Sequence, residues 1–190
     1  MIGTQNYTKT ARWLHWAIAA LIVFMLAGGF LMQFVPEDNF SLTVTVYNWH
    51  KTFGLLVLVL SVARLVWRLT HKPPPLDASI KAWEAWLSKL VHVVFYVFMI
   101  GMPLIGWAII STSRFPSKLF NAVPLAKLPI LRDFTGDVRE NINGLFGDIH
   151  KVFAFIAIAL IVLHIAAAVK HHREDGVFIR RMLANKKKAD

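Results

Sequence analysis

The amino-acid sequence predicts an all-α integral membrane protein, folded as an antiparallel four-helix bundle with a long outer loop between helices 3 and 4. Two observations predict this fold. Hydrophobic residues make up 56% of the 190 residues and the mean hydropathy is +0.53, more than a soluble core of this size needs. In addition, four apolar windows each have about 20 residues, the length that crosses a bilayer as a helix.

The four windows cover residues 13–35, 49–69, 90–110 and 149–169. Any one of them is compatible with a buried helix of a soluble protein, but four windows flanked by charges are typical of a multi-pass membrane protein. We therefore interpret residues 1–190 as a single membrane-embedded domain. The first window is longer than the apolar region of a typical signal peptide and contains His15, so we expect it to be retained as a span.

The connecting segments differ in character. Three consecutive prolines at 73–75 predict a stiff turn after the second span, and the helical spacing of apolar residues in 80–90 predicts a short interfacial helix leading into the third. Residues 111–148 form the long outer loop, which is punctuated by proline and glycine. Loops of this length are commonly functional, so we expect an ordered cap or a partner surface.

Charge asymmetry predicts the orientation of the bundle. The side that carries both termini and the connection between spans two and three holds fourteen of the 21 Lys and Arg residues against five acids, whereas the other side holds seven against six. By the positive-inside rule, we expect both termini to be cytoplasmic. The net charge of +10 is thus mainly a topology signal, which argues against nucleic-acid binding and points to anionic lipid headgroups beside the C-terminal tail.

The sequence contains no cysteine. Its absence excludes disulfides, Cys-ligated zinc, iron–sulfur clusters and covalently attached c-type haem. Redox or metal chemistry must therefore depend on histidine, on carboxylates or on a noncovalently bound cofactor.

Five histidines lie within the predicted spans, at positions His15, His50, His92, His150 and His164. Ionisable side chains are costly inside a membrane, so they usually face the bundle interior and mark a functional site. His50 and His150 begin the second and fourth spans at the outer surface. The other three lie nearer the inner surface.

The spacing of His150 and His164 predicts two stacked sites. Fourteen residues of helix rise about 21 Å and return to within roughly 40° of the same face. Two planar cofactors along the membrane normal would suit this spacing, and a pair of neutral imidazoles ligates haem iron in a manner that favours electron transfer. At the outer level His50 can pair with His150, whereas at the inner level His164 can pair with either His15 or His92.

Two other uses of these histidines are less consistent with the sequence. A proton-relay transporter would need buried acids to continue the relay, and the four spans offer none. A zinc site would need carboxylates and closely spaced histidines for tetrahedral coordination.

Four stretches resemble the bacterial cytochrome b561 family of dihaem membrane proteins in order along nearly the whole chain: "ARWLHWAIA", "NWHKTFGLLVLVLSVARLVWRLTHKPPP", "VHVVFYVFMIGMPLIGW" and "DIHKVFAFIAIALIVLHIAAAVKHH". The resemblance implies that His15 and His164 ligate an inner haem b and that His50 and His150 ligate an outer one. It leaves His92 as a non-ligand. The outer loop is longer here than in the best-known members.

Further polar residues lie near the inner haem level. Arg64 and Arg68 share a helix face and can reach lipid headgroups, haem propionates or a bound quinone. His171 and His172 follow the fourth span, where they could pass a proton to a reduced quinone or simply cap the helix. Glycines within the spans either allow close helix packing or leave room for a macrocycle.

The resemblance implies a dihaem b-type cytochrome that carries electrons across the inner membrane between a periplasmic-side partner, or superoxide, and the ubiquinone pool. A superoxide oxidase is one form of this activity. The alternative is the haem-bearing anchor subunit of a larger quinone-linked dehydrogenase or hydrogenase-type complex. A non-redox transporter is a third, weaker alternative.

Overall fold

The computed structural model describes residues 6–36, 38–75, 80–175 and 179–183. In chain order its elements are α1 (Lys9–Leu31), α2 (Phe40–Thr70), α3 (Ala82–Thr112), β1 (Lys118–Leu119), β2 (Val123–Pro124), α4 (Pro129–Arg132) and α5 (Gly136–Asp175). Short 3-10 turns follow at Met32–Phe34 and Arg180–Met182. Helices α1, α2, α3 and α5 are long and apolar enough to cross a membrane, which confirms the predicted all-α four-helix membrane bundle.

Local sequence defines where the helices begin. The hydroxyl of Thr8 accepts a hydrogen bond from the Ala11 N–H at 3.2 Å, and the side-chain oxygen of Asn39 accepts one from the Leu42 N–H at 3.0 Å. These N-caps satisfy backbone donors that have no partner within the first helical turn. Both caps stand directly before an apolar run, so the ends of the spans are encoded locally.

The four long helices pack in sequence, α1 on α2, α2 on α3 and α3 on α5. Neighbours are antiparallel, because the start of α1 meets the end of α2 through a 3.0 Å hydrogen bond from Trp67 Nε1 to Thr8 Oγ1. At the same end, Lys170 of α5 pairs with Glu84 of α3 at 3.0 Å. We call this the terminal end of the bundle and the opposite end, which carries β1 and β2, the loop end.

Large apolar side chains cover the outside of the bundle. Phe155 and Leu163 on α5, for example, are exposed, whereas few apolar residues in the described ranges are buried, among them Leu14, Ile18 and Val57. An outer surface this apolar is unstable in water and suits contact with lipid acyl chains. The exposed apolar side chains are consistent with the predicted contact between the bundle and lipid.

The segment predicted as a separate interfacial helix, 80–90, belongs largely to α3, which runs without interruption from Ala82 to Thr112 and through Pro103. Glu84 begins this helix by accepting a hydrogen bond from the Lys81 N–H at 3.3 Å. No break separates its tryptophan-rich start from the apolar span.

The long outer loop is shorter than predicted because its last thirteen residues, 136–148, form the first part of α5. These residues are mainly polar and include three glycines, a composition typical of a loop. Tertiary contacts hold them as a helix, since the Asn143 side-chain amide donates to the Ile109 carbonyl at 2.8 Å and to Thr112 Oγ1 at 2.9 Å. The Ile109 carbonyl lies in the last turn of α3, where it lacks a helical partner.

The remaining connection, 113–135, is an ordered cap on the loop end. Strands β1 and β2 form a small antiparallel hairpin, with Lys118 opposite Pro124 and Leu119 opposite Val123. Trp107 Nε1 donates to the Ala126 carbonyl at 2.8 Å and thereby attaches the second half of the cap to α3. The segment 113–135 thus covers the loop end, and we refer to it as the cap.

The C-terminal segment returns to α1 at the terminal end. Trp16 Nε1 donates to the Met182 carbonyl at 2.9 Å, and the Arg12 guanidinium donates to the Leu183 carbonyl. Most of the basic tail for which we predict lipid headgroup contact, 184–190, lies outside the described residues.

Candidate functional site

At the loop end, α2 and α5 place His50 and His150 opposite each other across the bundle. Their ring centres are 6.4 Å apart and the ring planes are inclined by 68°. Both side chains are partly shielded, and His150 Nδ1 is buried without a hydrogen-bond partner among the described residues. A buried imidazole nitrogen in this condition is available to a bound group.

At the terminal end, His164 of α5 lies between two histidines. Its ring centre is 6.4 Å from that of His15 on α1 and 6.2 Å from that of His92 on α3. His92 Nδ1 also lies 2.6 Å from the Ser88 carbonyl, which makes Nδ1 the donor and leaves Nε2 free. The ring distances alone thus leave both partners of His164 open, as the sequence does.

The ring separations fit a metal held between two opposed imidazoles. Two histidines that share one iron, each about 2 Å from it, have ring centres roughly 6 Å apart. No group of three or more His, Cys, Asp or Glu in the described ranges is arranged to hold one metal ion, so a tetrahedral site is not built there. Opposed histidine pairs on apolar helices are a donor set that suits a noncovalent haem.

A repeat of fourteen residues aligns the interior of the bundle at two levels about 21 Å apart. Each long helix carries two positions with this spacing: His15 and Gly29 on α1, His50 and Arg64 on α2, His92 and Gly106 on α3, and His150 and His164 on α5. One position of each pair lies at the loop end and the other at the terminal end. From the sequence we predict two levels with this spacing on α5 only, from His150 and His164.

Glycines occupy the two loop-end positions that are not histidines. A Cβ added at Gly29 would lie 3.5 Å from His50 Cε1, and one at Gly106 would lie 3.7 Å from His150 Cε1. A larger side chain at either position would fill the space beside a histidine ring. Gly29 and Gly106 therefore leave room for a planar group, whereas Gly54 faces the Met25 side chain and serves helix packing.

The terminal end contains a cavity of about 100 Å³ next to Arg64, with both polar and apolar lining residues. Arg64 Nη1 donates to the Ala11 carbonyl at 2.9 Å, so its guanidinium is directed toward α1. The cavity is lined by Asn6, Tyr7, Thr8, Ala11, Arg64, Trp67, Arg68, His71, Lys72, Pro73, Pro74 and Tyr96. Its basic and aromatic lining suits a flat or acidic group with polar substituents.

Of the four residues predicted to bind at this end besides the histidine ligands, the cavity contains Arg64 and Arg68. His171 and His172 are not among its lining residues. His171 Nδ1 lies 3.4 Å from Glu174 Oε2, and His172 Nδ1 is buried without a partner in the described part of the chain.

Two lysines beside the loop-end histidines differ in their contacts. Lys51 Nζ donates to Ser117 Oγ at 2.8 Å and is half-buried. The Lys151 side chain is 79% exposed, and its Nζ lies 3.9 Å from Asp148 Oδ1, beyond hydrogen-bond distance. Lys151 is therefore the more accessible charge for an approaching anion.

The residues that flank His50 were not predicted as functional. Asn48 and Thr52 are buried polar side chains that contact the hairpin. The available signal was two polar residues placed symmetrically around a histidine at the mouth of an apolar helix.

The geometry agrees with comparisons to known proteins. The model of the family described as prokaryotic cytochrome b561 matches residues 6–185. Cytochrome b561 homolog 1 of Escherichia coli K12 is 25% identical over 94% of this chain and 97% of its own length. The Probable superoxide oxidase CybB of Yersinia pestis is 24% identical over 94% and 96%, and Cytochrome b561 homolog 2 of Escherichia coli K12 is 25% identical over 94% and 92%.

The family match spans nearly the whole described chain, and all four membrane-crossing helices lie within it. Such a family implies electron transport and haem b binding, and its four apolar helices fit a multi-pass protein of a prokaryotic inner membrane. This chain belongs to the prokaryotic cytochrome b561 family.

Proposed function

We propose that this chain, as one domain over residues 1–190, is a dihaem b-type cytochrome that carries single electrons across the inner membrane. The observation that carries the proposal is the pair of opposed histidines at each end of one bundle, with ring centres 6.4 Å apart in both. When bound, the haems supply one-electron redox chemistry. The two levels are about 21 Å apart along α5, and wide macrocycles shorten the gap between them.

The ligands we assign are His50 with His150 at the loop end and His15 with His164 at the terminal end. The choice of His15 over His92 rests on the family pattern in "ARWLHWAIA", because both rings are equally near His164. Two imidazoles would hold one haem iron and leave it no open position, which would suit electron transfer rather than oxygen binding. The glycines Gly29 and Gly106 keep the space beside the loop-end pair clear.

Ubiquinone is the electron acceptor that we assign to the terminal end. Arg64, Arg68 and Trp67 line its cavity, and they can contact a quinone headgroup or haem propionates. Reduction of a quinone to a quinol takes up two electrons and two protons. His171 and His172, in the last turns of α5 at this same end, are the proposed proton donors.

Superoxide is the electron donor that we assign to the loop end. Two superoxide anions would each give one electron and leave as oxygen, which balances the two electrons of one quinol. The support is the similarity to a protein named a probable superoxide oxidase, together with the exposed Lys151 beside His150. A positive charge at the mouth of a site attracts an anion before it binds.

We expect superoxide to reduce the purified protein at a rate that falls as salt is added, because screening weakens steering. Lys151→Gln should slow the reduction by about 2–5-fold, and Arg139→Gln should slow it less, because Arg139 Nε is buried. Lys51→Gln should also slow it, although Lys51 is bound to Ser117 and its loss affects the cap as well. Rapid-mixing spectroscopy at several salt concentrations measures these rates.

If superoxide reduces the protein slowly and at a rate that does not change with salt, a second function is favoured. This is the haem-bearing anchor subunit of a larger quinone-linked dehydrogenase or hydrogenase-type complex. The observation in its favour is a set of exposed apolar side chains on the loop-end cap, Phe115, Phe120, Val123 and Ile130. Such a surface suits a partner subunit. Purification in mild detergent separates the two functions, because an anchor subunit would bring a stoichiometric partner with it.

The proposed direction of electron flow, from superoxide at the loop end to quinone at the terminal end, requires the loop end to be periplasmic. A reporter fused after Asp190 should be cytoplasmic and one inserted near Pro124 should be periplasmic, since fourteen of the 21 Lys and Arg residues lie on the terminal side. Paired alkaline phosphatase and fluorescent-protein fusions measure this. The reverse pattern would make the terminal end the one that meets the periplasm and would remove the superoxide assignment.

A further inference from the structure

The cap contacts α2 on both sides of His50. Asn48 and Thr52 bond to the hairpin, Lys51 Nζ donates to Ser117 Oγ at 2.8 Å, and the Trp49 ring meets the Phe120 ring edge-on with centres 6.0 Å apart. All four residues within two positions of His50 thus touch the segment 117–121. These contacts with 117–121 surround the position of the histidine on α2.

The polar groups of this contact are buried and mutually satisfied. Asn48 is 3% exposed; its Nδ2 donates to Asn121 Oδ1 at 2.9 Å, and its Oδ1 accepts from the Lys118 N–H at 3.2 Å. Thr52 is 4% exposed; its hydroxyl donates to the Asn48 carbonyl at 2.8 Å and accepts from the Phe120 N–H at 2.9 Å. Such a network permits one relative placement of helix and hairpin, because any shift leaves buried groups unpaired.

The helix geometry relates this contact to the histidine. Asn48 and Thr52 are each two residues from His50, and at roughly 100° per residue their side chains lie about 160° around the helix from it. The hairpin therefore holds the face of α2 that is opposite the imidazole. A rotation of α2 about its axis would move His50 away from His150 and would break these bonds.

The turn of the hairpin is itself in an unusual conformation. Phe120 and Asn121 have φ values of 53° and 56°, and the Ala122 N–H closes the turn on the Leu119 carbonyl at 2.9 Å. Asparagine tolerates the left-handed region, whereas a bulky residue such as phenylalanine rarely adopts it. The strain is held by the Phe120 N–H bond to Thr52 and by the Asn121 bond to Asn48.

We propose that Asn48 and Thr52 are positioning residues that, together with the hairpin, fix the rotation of α2 and so hold the His50 imidazole opposite His150. The inference rests on the proposed function, in which these two histidines hold the loop-end haem. In this inference the cap helps to hold the loop-end haem, in addition to any role as a surface for a partner.

The test compares Thr52→Val, which removes the hydroxyl at nearly constant volume, with Thr52→Ser, which keeps it. Haem transfer from the purified membrane protein to an apoglobin measures retention, and low-temperature EPR of the oxidised protein reports the mutual orientation of the axial imidazoles. Thr52→Val should release the loop-end haem about 10–100-fold faster and shift its EPR signal, as substitutions of residues that orient metal ligands do. Thr52→Ser should restore both values.

Two further variants complete the experiment. Asn121→Gly keeps a turn that needs positive φ but removes the bond to Asn48, so it should act like Thr52→Val without disturbing the helix. Ser61→Ala is the matched control, because Ser61 is a fully buried hydroxyl on α2 without a partner among the described residues. It should leave release rate and EPR unchanged.

His50→Ala separates the failure of this inference from the failure of the proposed function. If His50→Ala still holds two haems, the ligand assignment is wrong and the positioning role ends with it. If His50→Ala loses one haem while Thr52→Val and Asn121→Gly retain it with the wild-type rate and signal, the ligand assignment stands and the positioning role is wrong.

Discussion

His50→Ala is expected to reduce the haem content of the purified protein from about two to about one per chain, because among the described residues His50 is the histidine whose ring is found opposite that of His150. His150→Ala should give the same result. The pyridine haemochrome assay against protein mass measures the ratio. The haem that remains should be noncovalent and extractable, since the chain has no cysteine to attach it.

His15→Ala and His164→Ala should remove the other haem and leave the loop-end EPR signal unchanged. His92→Ala is the matched control, because its ring is as near to His164 as that of His15 and is also bonded to the helix backbone. We expect His92→Ala to keep both haems. Loss of a haem in His92→Ala, with both retained in His15→Ala, would assign His92 as the ligand instead.

The sequence predicts the four spans well because lipid imposes one local requirement, an apolar stretch of about 20 residues, on each of them. The start of α5 was missed for the opposite reason. Residues 136–148 are polar and include two further glycines after Gly136, and they are helical because Asn143 bonds the end of α3, a contact between residues more than thirty positions apart. Periodicity within a window cannot reveal such a contact.

The pairing of the site was only partly predictable. His50 and His150 follow from depth alone, because they are the two histidines at one surface, and the structure brings their rings to 6.4 Å. His15 and His92 lie at one depth on different helices, so spacing does not choose between them, and the ring distances of 6.4 and 6.2 Å do not choose either. Substitution of His15 and of His92 distinguishes the two candidate ligands.

The roles of the glycines and of the cap could not be predicted from the sequence, for a different reason. The spacing of fourteen residues that links His15 to Gly29 is present in the sequence, but a glycine in a span serves helix packing as often as it clears a site. Only the position of its missing Cβ, directed at His50 for Gly29 and at Met25 for Gly54, separates the two roles. Likewise, Asn48 and Thr52 become informative once the hairpin is seen against them.

Gly29→Leu is expected to weaken retention of the loop-end haem, whereas Gly29→Ala is not. A Cβ at this position already lies 3.5 Å from His50 Cε1, so Gly29→Ala fits at ordinary contact distance, whereas the branched carbons of leucine need the space beside the ring. Overpacking of this kind costs about 1–3 kcal/mol, which weakens retention by roughly 5–150-fold. Gly28→Leu is the matched control on the same helix, because nothing lies within 4 Å of its added Cβ. Gly29→Leu should therefore contain less haem and release it faster to apoglobin than Gly29→Ala and Gly28→Leu. Equal haem content in all three variants would mean that Gly29 serves helix packing and that the haem does not use the space beside His50.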